Sequence, residues 1–517
     1  MRMWIEKVIG LLLAVLAPMV VFAQKEPKPQ ALQQITLPTP VTEIGTAVTI
    51  SPEHPISVFV QQQYPTAVYG ELKPDTTIES TAANHLVFRQ FFENLPVFQG
   101  SLKLSISKTG KLLSRFQNLY PLTKLTVQPA APAPEVTSTY LKQKFGKKAT
   151  FINSKSEQVW YVRQGQLLRG VLIRYEHPAA EVGAKEVLLN TQGEELWIQN
   201  LGLYSAPFMP KDTTIRAMVF LPDPLTSAQQ TYNAPFIDSN DADVPVLNQQ
   251  RQVVNLPVTL RNDTFYLENQ YCAIRDFDTP VKPVCHDTLS ALSYTRSSDC
   301  FEQVNILYHI STFQKHIQQL GFSNLQNQPI QVDAQGMNGL DQSRYSAFSN
   351  TLSYGEGGVD DGEDADVIIH EYFHAISQAA APNTAVGQER RTLEEANADY
   401  FAASYSLSYS PFNWDRLYNW DGHNEYWQGR WATTTKYYPN DLQNDVYLDA
   451  CIWTATLMQI RQDLGRSVTD KLLLQSLYSY APQLTMTQAA QLFLQADTLL
   501  HGASNSAIIF QHFENRG

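Results

Sequence analysis

Five consecutive residues constrain this chain more than any others: His370-Glu371-Tyr372-Phe373-His374. On a helix, positions i and i+4 lie one above the other, so both imidazoles leave one face and can share a divalent metal. Glu371, one residue on from the first histidine, is placed to act on a water as general base rather than to bind the metal. Val367, Ile368 and Ile369 before the motif, and Ala375 and Ile376 after it, predict a buried helix over 365–380. Chance produces such a motif in about one chain in a hundred of this composition.

A catalytic zinc usually takes three protein ligands and keeps one position open. Downstream, Leu393 to Ser406 reads as a second helix, on which Glu395 and Asp399 stand four apart and share a face. Glu395 can complete a His₂Glu set for one Zn²⁺. Asp399 can then accept a hydrogen bond from the distal nitrogen of a ligand histidine. Two other readings stay open: Thr392 with Glu395 fits a capping box, and Glu394 is a rival ligand. Only Glu395 has an acidic partner at i+4, which favours it.

The rest of the 517 residues sets compartment and layout. A formal net charge of -12 argues against a nucleic-acid binder, which normally carries a basic excess. Arg2 and Lys7 precede an apolar run from Val8 to Phe22, and Val21-Phe22-Ala23 is a small-residue cleavage pattern. Residues 1–23 therefore read as a signal peptide, and the mature chain is expected to be secreted or periplasmic. The run is short for a membrane span and Pro18 interrupts it, so no stable membrane insertion is expected. The four cysteines are Cys272, Cys285, Cys300 and Cys451; Cys272 with Cys285 closes the smallest loop, although four cysteines allow three pairings.

Along the chain, residues 24–66 read as a flexible lead-in rich in Pro and Gln. Residues 67–127 form a first small helix-plus-sheet unit, with a helix expected over Thr81–Asn94 and strand alternation at Leu102, Leu104 and Ile106. A second unit, 128–205, carries a helix from Glu135 to Phe145 and strands over Val159–Gln164, Leu167–Glu176 and Ala184–Asn190. A connector, with cleavage expected between about Gln199 and Asp212, leads to the third part, 206–517. That part reads as strands and loops up to Asp299, a helix from Cys300, the two motif helices, and an almost wholly helical tail over Val446–Gln511.

HEYFH followed by EEANAD resembles the gluzincin metallopeptidases of the fungalysin/thermolysin superfamily. The likeness extends to Tyr308–Phe322, Leu352–Ile376 and Asn419–Arg430. At the front, His85–Ser114 resembles the fungalysin/thermolysin propeptide, and Leu167–Glu195 resembles the inhibitory PepSY module. The resemblance implies an α+β chain: two small propeptide modules, then a β-rich lobe and an α-helical lobe with zinc in the cleft between. His370 and His374 would be ligands with Glu395, Glu371 the general base, and Asp399 the partner of His370. Asp366 resembles an aspartate that holds calcium in thermolysin, with Asp360, Asp361, Glu363 and Asp364 as possible contributors. Gln342, where the family usually has asparagine, resembles the edge segment that pairs with substrate backbone.

The chain departs from the family where charge develops in the transition state. The family's histidine position falls on Tyr447, and the family's other oxyanion tyrosine would fall near Val386. A tyrosine hydroxyl donates a hydrogen bond without a charge. His423 or Arg430 from the aromatic loop is the other candidate donor. The implied function is a secreted zinc endopeptidase acting on protein or peptide substrates, made as a zymogen with its own propeptide as intramolecular inhibitor. A zinc-retaining homologue that only binds, and an aminopeptidase, are the alternatives; no free-amine-binding motif precedes the HExxH.

Overall fold

The computed structural model describes residues 35–45, 48–50, 55–128, 136–145, 153–176, 184–200 and 212–517. The expected signal peptide and most of the expected connector lie outside them. No described helix is long and apolar enough to cross a membrane.

The chain is α+β. Its first part holds strands β1 (Val41–Ile44), β2 (Glu71–Glu79), β3 (Ala83–Phe92), β4 (Leu95–Ser107), β5 (Leu112–Asn118), β6 (Thr126–Val127), β7 (Asn153–Arg163), β8 (Gln166–Glu176), β9 (Ala184–Leu189) and β10 (Glu195–Asn200), with helices α1 (Ile56–Gln63) and α2 (Val136–Phe145). The segment 81–94, expected as a helix, is instead strand β3. Its β-branched and aromatic residues suit a pleated surface, and burial falls on Ala83, His85, Phe88 and Gln90. Glu93 and Asn94 both take positive φ, 45° and 63°. That is what a two-residue reversal into β4 requires, and it decides the register (Phe92 opposite Leu95).

Strand β4 is 13 residues long and serves both front units. It pairs with β3 and β5 on either side, burying Leu102, Leu104 and Ile106. Nearer its start, Val97 lies opposite Trp160 of β7 in a parallel pairing. The two units therefore share one sheet, in the order β1-β5-β4-β7-β8-β9-β10.

The remaining part opens with β11 (Asp212–Val219), β12 (Gln252–Arg261), β13 (Thr264–Tyr266), β14 (Cys272–Ile274), β15 (His286–Asp287) and β16 (Ala291–Leu292). Helix α3 (Cys300–Gln319) follows, then β17 (Ile330–Asp333), β18 (Arg344–Ser346) and β19 (Thr351–Ser353). These strands form a five-stranded sheet, β15-β13-β12-β11-β16, and a four-stranded sheet, β14-β17-β19-β18, whose edge is β18. The helical part comprises α4 (Ala365–Ala380), α5 (Gln388–Ser406), α6 (Val446–Leu464), α7 (Arg466–Leu477), α8 (Met486–His501) and α9 (Ser506–Arg516), with the small ribbon of β20 (Arg416–Leu417) and β21 (Arg430–Trp431) between α5 and α6.

Each motif helix starts for a local reason. The Asp364 side chain caps α4 by accepting from the Asp366 amide. Helix α5 begins after Gly387, whose φ of 98° suits glycine. Thr392 therefore lies inside α5 and bonds back to the Gln388 carbonyl at 3.1 Å, so the alternative reading of Thr392 and Glu395 as a capping box does not hold. Asp445 caps α6 through the amides of Tyr447 and Leu448.

The disulfide joins Cys285 to Cys300, with a Cα–Cα distance of 5.7 Å. The smaller loop from Cys272 does not close, because Cys272 is fully buried inside β14. Cys285 instead meets the first residue of α3.

The front sheet docks on the helical part. Lys103 Nζ donates to the Tyr480 carbonyl at 2.6 Å, Gln475 Nε2 to Ser80 Oγ at 3.0 Å, and Gln495 Nε2 to the Leu113 carbonyl at 2.8 Å. The His85 ring stacks on Tyr478 with centroids 5.4 Å apart. Phe116 of β5 belongs to the main core beside residues of α3 to α8, so the seam is apolar as well as hydrogen-bonded.

Candidate metal centre

Helices α4 and α5 bring His370, His374 and Glu395 together, with one ligand atom from each lying within 4.8 Å of the others. Nε2 of His370 is 3.3 Å from Glu395 Oε2, and Nε2 of His374 is 3.9 Å from Glu395 Oε1. The two imidazole rings stand almost perpendicular, at 87°, with centroids 4.9 Å apart.

Each imidazole is held from behind. His370 Nδ1 lies 3.0 Å from Asp399 Oδ1 and His374 Nδ1 lies 3.3 Å from Glu394 Oε1. A carboxylate at Nδ1 draws the ring proton there and leaves the Nε2 lone pair for a cation. Glu394 is thus the orienting partner of His374 rather than a third ligand, and it is itself held by Arg390 at 2.7 Å and Ser377 at 2.8 Å. Tyr418 donates to the same Asp399 oxygen at 2.7 Å.

The electrostatics suit a cation. Burial opposes charge on the Glu395 carboxyl, yet His370, His374 and Arg430 outweigh it and hold the pKa at about 2. Burial likewise opposes charge on His374, but Glu394, Glu395 and Glu371 lift its pKa to about 9. Two nitrogens and a carboxylate oxygen are the donor set zinc accepts.

Arg430 reaches the centre from β21. Its Nη2 lies 3.3 Å from Asp399 and its Nη1 3.7 Å from Glu395. Nε and Nη1 are buried and make no hydrogen bond within the described residues. The Tyr447 ring, in the first turn of α6, lies 5.4 Å from this guanidinium and is 53% exposed. Glu371 is part-exposed between the two histidines.

Other expected site residues sit elsewhere. His423 turns Nε2 to the main chain, 3.1 Å from the Leu417 carbonyl and 3.2 Å from that of Arg430, and so clasps β20 to β21. Asp366 has both oxygens engaged, by Ser406 Oγ and by the Tyr418 amide at 2.8 Å. It belongs to none of the groups of three His, Cys, Asp or Glu whose ligand atoms lie within 4.8 Å of one another among the described residues. Gln342 is exposed two residues ahead of the edge strand β18.

Glu394 as an orienting residue and Tyr418 as a second donor to Asp399 escape sequence reasoning. Glu394 had a signal, since it precedes Glu395 on the same helix. Tyr418 arrives from a loop with no periodicity to announce it.

No family model matches the chain, and no curated protein does. Among solved structures, the precursor of protealysin, a metalloproteinase from Serratia proteamaculans, is similar with a TM-score of 0.35 and 12% identity, covering 42% of this chain and 78% of that one.

Proposed function

We propose that this protein is a secreted, zinc-dependent endopeptidase of thermolysin-like architecture, made as a zymogen. The observation that carries the reading is the convergence of His370, His374 and Glu395 with a separate carboxylate behind each imidazole. Those three residues would hold one zinc, which supplies Lewis-acid polarisation of a peptide carbonyl and makes water a better nucleophile at neutral pH. Glu371 takes the proton of the attacking water and passes it to the departing amine. Arg430, ion-paired with Asp399 and Glu395, turns its guanidinium to a substrate carbonyl, and Tyr447 lends a neutral hydrogen bond to the developing oxyanion. The edge of β18, with Gln342 ahead of it, pairs with the extended peptide.

In this account residues 67–205 are the inhibitory propeptide. They dock through Lys103 on Tyr480, whose ring lies 5.0 Å from the Arg390 guanidinium; Arg390 pairs with Glu394, which orients His374. A chain of contacts thus runs from the seam towards His374. Casein hydrolysis by the chain before and after proteolytic removal of the front part tests the reading, with Glu371→Gln as control. Activity that appears on removal and is abolished by Glu371→Gln supports it. A zinc-loaded mature chain as inert as Glu371→Gln favours the alternative, a homologue that binds without turnover.

A further inference from the structure

Outside the zinc-type centre, the described residues hold two groups built only from carboxylates; in one of them, Asp341, Asp361 and Asp421, one oxygen from each lies within 4.8 Å of the others. We propose that these three aspartates form a calcium site that ties together the loop ahead of β18, the turn ahead of α4 and the loop after β20.

The first support is an oxygen without a partner. Asp421 is only 4% exposed; its Oδ2 accepts from Trp427 Nε1 at 3.1 Å, while Oδ1 is buried with no hydrogen bond. A buried carboxylate oxygen left bare costs free energy that a cation would recover. The leading charged neighbours of Asp421 are the acidic Asp361, Asp341 and Asp364. Asp361, 2% exposed, accepts from Ser343 Oγ and from the Gly355 amide at 3.2 Å, which fixes its carboxylate in place.

The second support is the backbone around Asp341. Gly357 and Gly358 pack against this residue, and Gly355 against its neighbours Leu340 and Gln342. A Cβ on Gly357 would lie 2.3 Å from the Asp341 nitrogen, and one on Gly358, whose φ is +72°, would lie 3.0 Å from Asp341 Oδ2. The loop can close on the aspartate only because these positions lack side chains. Asp341 is also the most exposed of the three, which leaves an entry path and room for water ligands.

The donor chemistry selects the ion. Oxygen-only ligands exclude a preference for zinc or copper. Calcium takes 6–8 oxygens at about 2.3–2.6 Å in irregular geometry, so one ion reaches three oxygens spread over this distance, with water completing the shell. None of the three aspartates belongs to the His₂Glu centre, so the proposal stands whether or not that centre holds zinc. Its structural consequence is local: Asp421 lies three residues after Tyr418, which donates to Asp399, and calcium here braces that loop.

Terbium titration of the full chain, after chelation and dialysis, tests this directly, because Trp427 is bonded to Asp421 and can sensitise a lanthanide held there. The expected result is saturable luminescence under tryptophan excitation that Ca²⁺ displaces. Asp341→Asn should weaken it at least tenfold, with zinc content unchanged. Glu302→Gln, in the separate cluster of Glu302, Asp360 and Glu363, should leave it intact. As a second measurement that needs no variant, Ca²⁺ should raise the thermal midpoint of the wild-type chain. Wild-type-like terbium binding by Asp341→Asn, loss of it only in Glu302→Gln, or no response of the midpoint to Ca²⁺ would each overturn the proposal.

Discussion

Arg430 Nη2 lies 3.3 Å from Asp399 Oδ1, the same oxygen that faces His370 Nδ1 at 3.0 Å. One aspartate oxygen therefore faces both His370 and the arginine proposed to meet the substrate. Arg430→Ala is expected to lower kcat/KM by about two to three decades, the usual cost of losing one donor to the oxygen of the reacting carbonyl. Zinc content should hold, because the ligands remain. Arg430→Lys should rescue little, since one ammonium cannot span Asp399, Glu395 and a carbonyl together. Steady-state kinetics with metal analysis of each variant checks this; full activity in Arg430→Ala would remove the residue from the site.

Tyr447 and His423 separate by the parameter each moves. Tyr447→Phe should lower kcat by about two decades with KM little changed, as expected for a donor used only in the transition state. His423→Ala should instead lower the thermal midpoint, because its Nε2 clasps the carbonyls of Leu417 and Arg430. The reverse pattern would transfer the transition-state role to His423.

At the seam, burial with Arg390 nearby lowers the Lys103 pKa from 10.5 to about 7. Between those values the unfolded chain binds the proton and the folded chain does not. Its contribution to stability therefore rises as pH climbs from 7 towards 10.5, while below pH 7 the seam must carry a buried ammonium ion. Limited proteolysis of the front sheet should accordingly slow as pH rises across that window. Lys103→Met should flatten the dependence; an unchanged slope in that variant would contradict the assignment.

Much of the zinc-type centre is legible in the sequence because the i,i+4 rule acts within each helix, at His370 with His374 and at Glu395 with Asp399. Nothing in that rule reports how two helices face one another, which is why the partnership of Glu394 with His374 emerges only from the packing of α4 on α5. Segment 81–94 misleads for another reason: its apolar spacing suits a helix, but the two positive-φ residues Glu93 and Asn94 impose a hairpin. Cys272 looks like the nearest partner for Cys285 until β14 buries it in the core. Sequence distance counts the loop to be closed and ignores where the side chains point.

Zinc per chain, measured on purified protein by elemental analysis, tests the central claim most directly. The account predicts one tightly held zinc in the wild-type chain and in Glu371→Gln, and its loss in His374→Ala and in Glu395→Ala. A wild-type chain without zinc, or His374→Ala retaining its full complement, would contradict it.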